Sequence, residues 1–274
     1  MKLIGNTAIV TGGNKGIGFG LADGLMAHGA NVTICGTNVN VGMEAAEKLN
    51  EKHKKNNKRA IFIKCDVSKS SDVKDLFETT IKELGSVHIL CNNAGINPPY
   101  LRTWDQSEEV WDKVLDVDLK GAFLCMKEVI PYWIENKIQG AIINTSSINY
   151  NCATDGMVHY CAAKAGLSQM TKAVAGEVGR YGIRVNAIAP GLIITDMSKG
   201  FAKGEFMQAF KERSPLYEKE PEKFPGPEDC AKLVVFLASD YAEWITGETI
   251  AIDGGNHIRG LHSYYDYYER QQRS

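Results

Sequence analysis

Short apolar runs recur along the chain and alternate with longer stretches of helical period. Thr7-Ala8-Ile9-Val10, Asn31 to Gly36, Ala60 to Cys65, Val87 to Cys91, Gly140 to Thr145, Ile183 to Ala189 and Thr249 to Ile252 predict buried strands. Between them Val73, Leu76, Phe77, Thr80, Ile81 and Leu84 fall on one face at a 3.6-residue period. Helices are also expected from about Val41 to Asn57 and from about Tyr160 to Arg180. Strands that alternate with helices imply βαβ units, so the expected fold is α/β: a doubly wound parallel sheet of about seven strands with helices on both faces. No repeat, low-complexity tract or linker interrupts the alternation, and residues 1–255 are read as one domain followed by a tail, 256–274.

Two regions depart from the pattern. Residues 192–226 hold Phe201, Phe206, Phe210 and Tyr217 among charges and the prolines 215, 221 and 225. A long segment after a strand's C-terminal end is the usual place for a substrate lid. The tail carries Tyr264, Tyr265, Tyr267 and Tyr268, large amphipathic surfaces expected to dock on a neighbouring subunit.

Composition narrows the class. In 274 residues, 44% hydrophobic and 23% charged, no apolar run approaches the ~18 residues of a membrane span. The N-terminal stretch lacks a signal-peptide pattern, which leads to the expectation of a cytoplasmic protein with no membrane partner. Seven cysteines without a C-x-x-C argue against a disulfide framework or a metal site. A net charge of −2 argues against nucleic acid, and the one basic cluster, Lys52 to Arg59, lies near an expected helix C-terminus, where cations complement the dipole.

Candidate chemistry sits at strand ends. After the first strand, Thr11-Gly12-Gly13-Asn14-Lys15-Gly16-Ile17-Gly18 reads as a glycine-rich turn into a helix N-terminus, where backbone N–H groups can meet a pyrophosphate. Ala141-Ile142-Ile143 ends in Asn144-Thr145-Ser146-Ser147, which places hydroxyls at the end of a buried strand. Tyr160 and Lys164 share one helical face at i, i+4. A phenol ordinarily titrates near ~10, so it needs a stabilised phenolate to act as a base near neutrality. Lys164 supplies that charge, and Ser147 is placed to bond the same substrate oxygen. One Tyr-x-x-x-Lys pair is expected by chance, so the context must decide.

The context is an ordered set: the glycine-rich turn, Asp66 after the third strand, Asn92-Asn93-Ala94-Gly95 after the fourth, Ser147, Tyr160-x-x-x-Lys164, and Pro190-Gly191 after the sixth. In this order the motifs resemble those of the short-chain dehydrogenase/reductase family, in its single-domain branch of ~250 residues, over nearly all of Asn6 to Gly255. The resemblance implies a Rossmann-like sheet. It implies that Gly12, Gly16 and Gly18 surround the cofactor pyrophosphate, with Asn14, Lys15, Ile17 and Thr37 among the other cofactor contacts, and that Asp66 and Val67 meet the adenine. It places Asn93, Ala94 and Gly95 on the adenosine side and Pro190, Gly191, Ile193 and Thr195 at the nicotinamide. Ser147 is then the orienting hydroxyl, Tyr160 the acid/base, and Lys164 the holder of the nicotinamide ribose.

The family usually has asparagine where Val117-Asp118-Leu119-Lys120-Gly121 has Asp118. In that family the position helps hold a water connecting the lysine to solvent, and a carboxylate is expected to hold the same water and also to stabilise the ammonium, with activity kept and an altered pH profile. A merely local capping or pairing role is the alternative. The second strand ends Gly36-Thr37-Asn38 without the carboxylate that favours NAD, and Lys15 is available for a 2′-phosphate, so NADP(H) is favoured over NAD(H). Asn97, Asn149, Tyr150, Met157 and His159 are the expected substrate contacts, His159 as a pocket-wall or interface residue, and they suit a polar secondary alcohol or ketone such as a polyol, sugar or hydroxy acid. The alternatives are a hydroxysteroid or bile-acid dehydrogenase, a 3-oxoacyl-thioester reductase and, more remotely, a non-catalytic cofactor-binding regulator. No metal is required. Small residues in the Tyr160 helix, together with Phe123 and its neighbours in the preceding helix, lead to the expectation of a homotetramer.

Overall fold

The seven strands of the computed structural model, which describes residues 1–96, 99–195, 198, 203–219 and 224–259, form one wholly parallel sheet. They are β1 (Thr7–Thr11), β2 (Asn31–Gly36), β3 (Ala60–Lys64), β4 (Ile89–Asn92), β5 (Ala141–Thr145), β6 (Arg184–Pro190) and β7 (Thr249–Ile252), in the order β3-β2-β1-β4-β5-β6-β7. The helices are α1 (Gly16–Ala27), α2 (Val39–His53), α3 (Ser70–Leu84), α4 (Glu108–Leu115), α5 (Gly121–Glu135), α6 (Val158–Val178), α7 (Gly204–Arg213), α8 (Pro215–Lys219), α9 (Pro227–Ala238) and α10 (Asn256–Arg259).

The apolar runs show no alternation because both faces of the sheet are covered. Successive side chains of a strand point to opposite faces. Accordingly Ala8 and Val10 join the core beneath α1, α2 and α9, whereas Ile9 joins the one beneath α3 and α5. Ile89 and Cys91 against Leu90, and Ala141 and Ile143 against Ile142, divide in the same way. Trp133 of α5 is completely buried and donates its indole N–H to Val87 O at 2.7 Å, so this large ring fills the second core without leaving a polar atom unpaired.

Sheet order locates the working edge. From β1 the chain winds outward to β2 and β3, then returns to β4 on the other side and continues to β7. Connections therefore part in opposite directions at the C-terminal ends of β1 and β4, which leaves a crevice there.

Differences from the expected elements have local causes. α2 ends at His53 rather than Asn57, and a 3-10 turn over Lys54–Asn56 leads to Asn57 in the left-handed region at φ 51°. The basic cluster is largely neutralised: Lys52 and His53 meet Asp23 at 2.8 and 2.9 Å, and Arg59 meets Glu83 at 3.0 Å. α6 opens at Val158, a half-turn before Tyr160. Residues 192–226 are not simply irregular: α7 and α8 lie within them, and Leu192, Phe206, Phe210 and Tyr217 form a third apolar cluster with Phe224 against it. Phe201 lies outside the described residues.

The reading of everything beyond Gly255 as a tail needs correction at its start. Asn256 is fully buried and donates to Phe210 O at 3.3 Å and Ser214 Oγ at 3.0 Å, so α10 is stitched to α7. Tyr264, Tyr265, Tyr267 and Tyr268 lie outside the described residues. No described helix is long and apolar enough to cross a membrane, and no metal-holding group of His, Cys, Asp or Glu occurs among the described residues.

Candidate active site

The crevice begins at the glycine-rich turn. Thr11 Oγ1 accepts the N–H groups of Asn93 and Ala94 at 2.9 and 3.0 Å, while Asn93 Nδ2 donates to Thr11 O at 3.0 Å. These bonds pin the ends of β1 and β4 to each other. Gly12 takes φ +62°, which a side chain rarely adopts. A Cβ on Gly18 would lie 2.3 Å from Gly12 O and 2.5 Å from Asn93 Nδ2, so only glycine lets α1 start this close to the turn. Lys15 precedes α1 in extended backbone without a side-chain cap, and no acid lies in the first turn of α1. A cradle of backbone with an uncapped helix N-terminus fits a pyrophosphate.

The other expected cofactor residues border the same crevice. Asn14 packs against Gly36 at the end of β2, while Lys15 and Thr37 are exposed. Asp66 accepts Ser68 Oγ–H at 2.7 Å and Ser68 N–H at 3.1 Å, which together with Lys69 at 3.6 Å hold its carboxyl below the usual range. Val67 packs against Gly121, and Gly95 against the Asp118 carboxylate. At the end of β6, Pro190 and Ile193 are buried, Gly191 touches Asp253, and Thr195 faces Gly16 across the turn.

Ser147, Tyr160 and Lys164 come together beyond β5. Ser147 follows the buried strand and is itself buried; Asn149 Oδ1 accepts its hydroxyl at 3.0 Å and Asn149 N–H returns a bond to Oγ at 3.2 Å. Tyr160 is half-buried in the first turn of α6. Lys164 is buried one turn later, with Nζ 5.3 Å from the Tyr160 ring centre, donating to Thr145 O at 3.1 Å. Ser146, on the opposite side of the chain from Ser147, donates to Lys164 O at 3.1 Å and shares a bond with Ser168, anchoring the end of β5 to α6.

Asp118 completes this group. Between α4 and α5, residues Asp116–Lys120 form a widened π turn, and the Asp118 side chain is wholly buried there. Its Oδ1 accepts Ile96 N–H at 2.9 Å and its Oδ2 lies 3.2 Å from Lys164 Nζ. The carboxylate therefore pairs with the lysine directly.

The electrostatics differ from the expectation in one respect. Burial penalises the Lys164 ammonium, but Asp118 and the neighbouring Tyr160 oxygen outweigh it and raise the lysine above its ordinary value. Tyr160 is raised too. Burial pushes the phenol up, Lys164 pulls it down as expected, Asp118 pushes it up again, and Ser147 lowers it by a hydrogen bond. The lysine's pull is real but does not dominate.

Not every expected substrate contact is open to a substrate. Asn149 is buried and engaged with Ser147 and with Thr154 Oγ1 at 2.9 Å, so it orients the serine. His159 is completely buried and accepts Tyr160 N–H at 2.8 Å through Nδ1; it lies within the fold at the start of α6, which corrects its expected place on a pocket wall. Burial lowers its pKa. Met157 is buried, Tyr150 is half-buried, and Asn97 lies outside the described residues.

Sequence reasoning missed the polar ladder under the site. Asn92 Nδ2 donates to Asn144 Oδ1 at 2.9 Å, and Asn144 Nδ2 donates to Thr171 Oγ1 at 2.9 Å, tying β4, β5 and α6 together without exposure to water. An asparagine ending an apolar run on two adjacent strands was the available signal.

Comparison with known proteins agrees with this architecture. A family described as enoyl-(acyl carrier protein) reductase matches residues 12–257. A 3-oxoacyl-[acyl-carrier-protein] reductase of Chlamydia muridarum is 39% identical over 92% of this chain and 98% of its own. Glucose 1-dehydrogenase 2 of Bacillus subtilis is 33% identical over 92% of this chain and 95% of its own. Among solved structures, a short-chain type dehydrogenase/reductase from Mycobacterium ulcerans superposes with a TM-score of 0.92 at 26% identity, covering 98% of this chain and 96% of that one. With sheet order, glycine-rich turn and matched length all in agreement, the chain belongs to the short-chain dehydrogenase/reductase family of NAD(P)-binding oxidoreductases.

Proposed function

We propose that this enzyme interconverts a polar secondary alcohol and its ketone with NADP(H), using Ser147, Tyr160 and Lys164 as its catalytic residues and Asp118 as a residue that tunes them. The observation that carries the reading is the convergence of these side chains at the end of β5, beside the crevice of the glycine-rich turn. The nicotinamide, when bound, supplies or accepts the hydride. The chain's own task is to hold the substrate and move one proton. Ser147, oriented by Asn149, holds the reacting oxygen; Tyr160 takes the proton from the alcohol or returns it to the ketone; Lys164 keeps a positive charge beside the phenolate that forms.

The cofactor residues are Gly12, Gly16 and Gly18 at the pyrophosphate, with Asn14, Lys15, Ile17 and Thr37 as further contacts, Asp66 and Val67 at the adenine, Asn93, Ala94 and Gly95 beside it, Pro190, Gly191, Ile193 and Thr195 at the nicotinamide, and Tyr160 and Lys164 reaching the cofactor from α6. The preference for NADP(H) rests on the absence of a carboxylate at Gly36-Thr37 and on exposed Lys15. Residues 192–226 act as the substrate lid. A cytoplasmic homotetramer fits a groove of about 670 Å³ between α4, α5 and α6, lined by Leu119, Phe123, Gly166 and Met170, with Phe123 half-exposed at its rim.

The identity to 3-oxoacyl-[acyl-carrier-protein] reductases favours one second reading, reduction of a 3-oxoacyl thioester. Cofactor absorbance at 340 nm, followed with polyols, aldoses, hydroxy acids and a 3-oxoacyl thioester, separates them. Preferential turnover of a polyol, aldose or hydroxy acid is expected; exclusive turnover of the thioester would replace the first reading by the second.

A further inference from the structure

His257 lies where three segments around the catalytic end of the sheet meet. It follows β7 in α10, and Asp253, at the end of that strand, holds it twice: Oδ2 accepts His257 N–H at 2.7 Å and His257 Nδ1–H at 2.8 Å. Asp253 is itself buried and touches Gly191 in the turn assigned to the nicotinamide; a Cβ on that glycine would fall 2.6 Å from the aspartate's Cβ. Cys152, five residues beyond Ser147, donates its thiol to His257 O at 3.4 Å. Neighbouring Asn256 reaches Phe210 O and Ser214 Oγ in the segment proposed as the lid.

The chemistry of the imidazole follows from this fixing. With Nδ1–H bound to a carboxylate, the tautomer is set, and Nε2 presents a lone pair. The side chain is 37% exposed, and Nε2 has no hydrogen bond among the described residues. An oriented acceptor next to the catalytic serine's loop is surplus to the proton transfer already assigned to Tyr160. Its natural complement is a hydroxyl donor.

We propose that His257, held by Asp253, is a specificity residue whose Nε2 accepts a second hydroxyl of the substrate, remote from the carbon that reacts, so that the enzyme selects polyhydroxylated chains such as polyols or aldoses. This rests on the dehydrogenase reading above and narrows its substrate class.

The test compares the wild type with His257→Ala and His257→Gln on two substrates: a hexitol, and cyclohexanol, which has no second hydroxyl. Asp253 keeps two backbone donors, Gly255 N–H at 3.0 Å and the N–H of residue 257, in either variant, so the fold is expected to persist, and cofactor titration by fluorescence checks it. His257→Ala is expected to raise KM for the hexitol about tenfold more than for cyclohexanol, the size of one neutral hydrogen bond, while kcat moves little. His257→Gln, which retains an acceptor at similar reach, is expected to recover most of the difference. An equal rise for both substrates, or none for either, would overturn the proposal while leaving the dehydrogenase reading intact. Turnover of cyclohexanol but not of the hexitol by the wild type would overturn this inference and the polar-substrate part of the reading above, while leaving the dehydrogenase reading intact. Failure of the wild type to oxidise any secondary alcohol would defeat both.

Discussion

Replacing Asp118 by asparagine removes one charge from a completely buried pair while preserving shape. The new side chain can still accept Ile96 N–H through its oxygen, so the widened turn between α4 and α5 stays anchored. What is lost is the attraction to Lys164 Nζ at 3.2 Å. At an effective dielectric of ~20, that attraction is about 5 kcal/mol before the cost of desolvating both ions is subtracted. Removing one partner of a buried pair typically costs ~3–5 kcal/mol because the other charge remains buried. The retained bonds to Ile96 and Thr145 place the expected loss near the lower end, about 3 kcal/mol, or a fall in Tm of roughly 6–12 °C for a chain of this size.

The sign of the pH dependence follows from the two raised groups. Lys164 is raised above 10.5 in the folded chain, so its stabilising contribution is complete below its unfolded value and is lost only as pH rises through the higher folded one. The Tm deficit of Asp118→Asn is therefore expected to stay nearly constant from about pH 6 to 9, and to shrink only in strong alkali. Activity should respond differently. Asp118 raises both Tyr160 and Lys164, so its removal lowers the first proton loss from the coupled pair whichever group is credited with it. In the direction of alcohol oxidation, where the phenolate is the base, the rising limb of kcat should move to lower pH. Thermal unfolding by circular dichroism and a pH–rate profile for oxidation are the assays. A limb that stays in place or moves to higher pH, in a variant with the expected Tm loss, would show that Asp118 has only a structural role.

Tyr160→Phe should retain cofactor binding and the fold but lose at least ~10² in kcat, since a positioned proton donor contributes on that order; near-wild-type turnover would remove Tyr160 from the mechanism. Lys15→Ala should weaken NADPH far more than NADH in fluorescence titrations, and equal losses would mean that Lys15 only shapes the turn. Gly18→Ala should raise the cofactor KM at least ~10-fold and lower Tm, because the added methyl would lie 2.3 Å from Gly12 O; unchanged values for both would show that the turn is not held as described. Phe123→Asp, in the lining of the groove between α4, α5 and α6, should dissociate the proposed homotetramer in sizing chromatography, and an unaltered elution would argue against an interface on this face.

What could be read in the sequence, and what could not, divides by the range of the contacts involved. The inner strands were legible because a strand buried on both faces must be apolar throughout, the partly exposed edge strands β3 and β7 by their short apolar runs, and α3 because its apolar face recurs every 3.6 residues. Tyr160 and Lys164 were legible as neighbours because helical spacing alone brings them to one face. α7, α8 and α10 were not, since their apolar residues are interspersed with charges and prolines, and their positions depend on Phe210, Tyr217 and Asn256 meeting across 46 residues of chain or fewer. Helical period likewise predicts no π turn, because a widened turn is set by what its side chains reach.

Asp118 shows the consequence at the site itself. In sequence it was one substitution in a helix, expected to hold the lysine's water and to stabilise the ammonium, with a merely local capping or pairing role as the alternative. The π turn brings its carboxylate to the ammonium directly, making the buried pair neutral as a unit. A lysine facing an uncharged amide would spend its full field on the phenol. One that already faces a carboxylate cannot, and burial of the phenol, with Asp118 adding to it, leaves Tyr160 above its ordinary value although a buried cation stands one turn away. For oxidation near neutrality that arrangement is unfavourable, because the phenolate is scarce. For ketone reduction it is favourable, because the phenol stays protonated and able to donate. A raised phenol thus suits donation to a ketone, and the same Asp118→Asn variant tests it: kcat for oxidation at pH 7 should rise relative to kcat for reduction, and the opposite change would contradict the assignment.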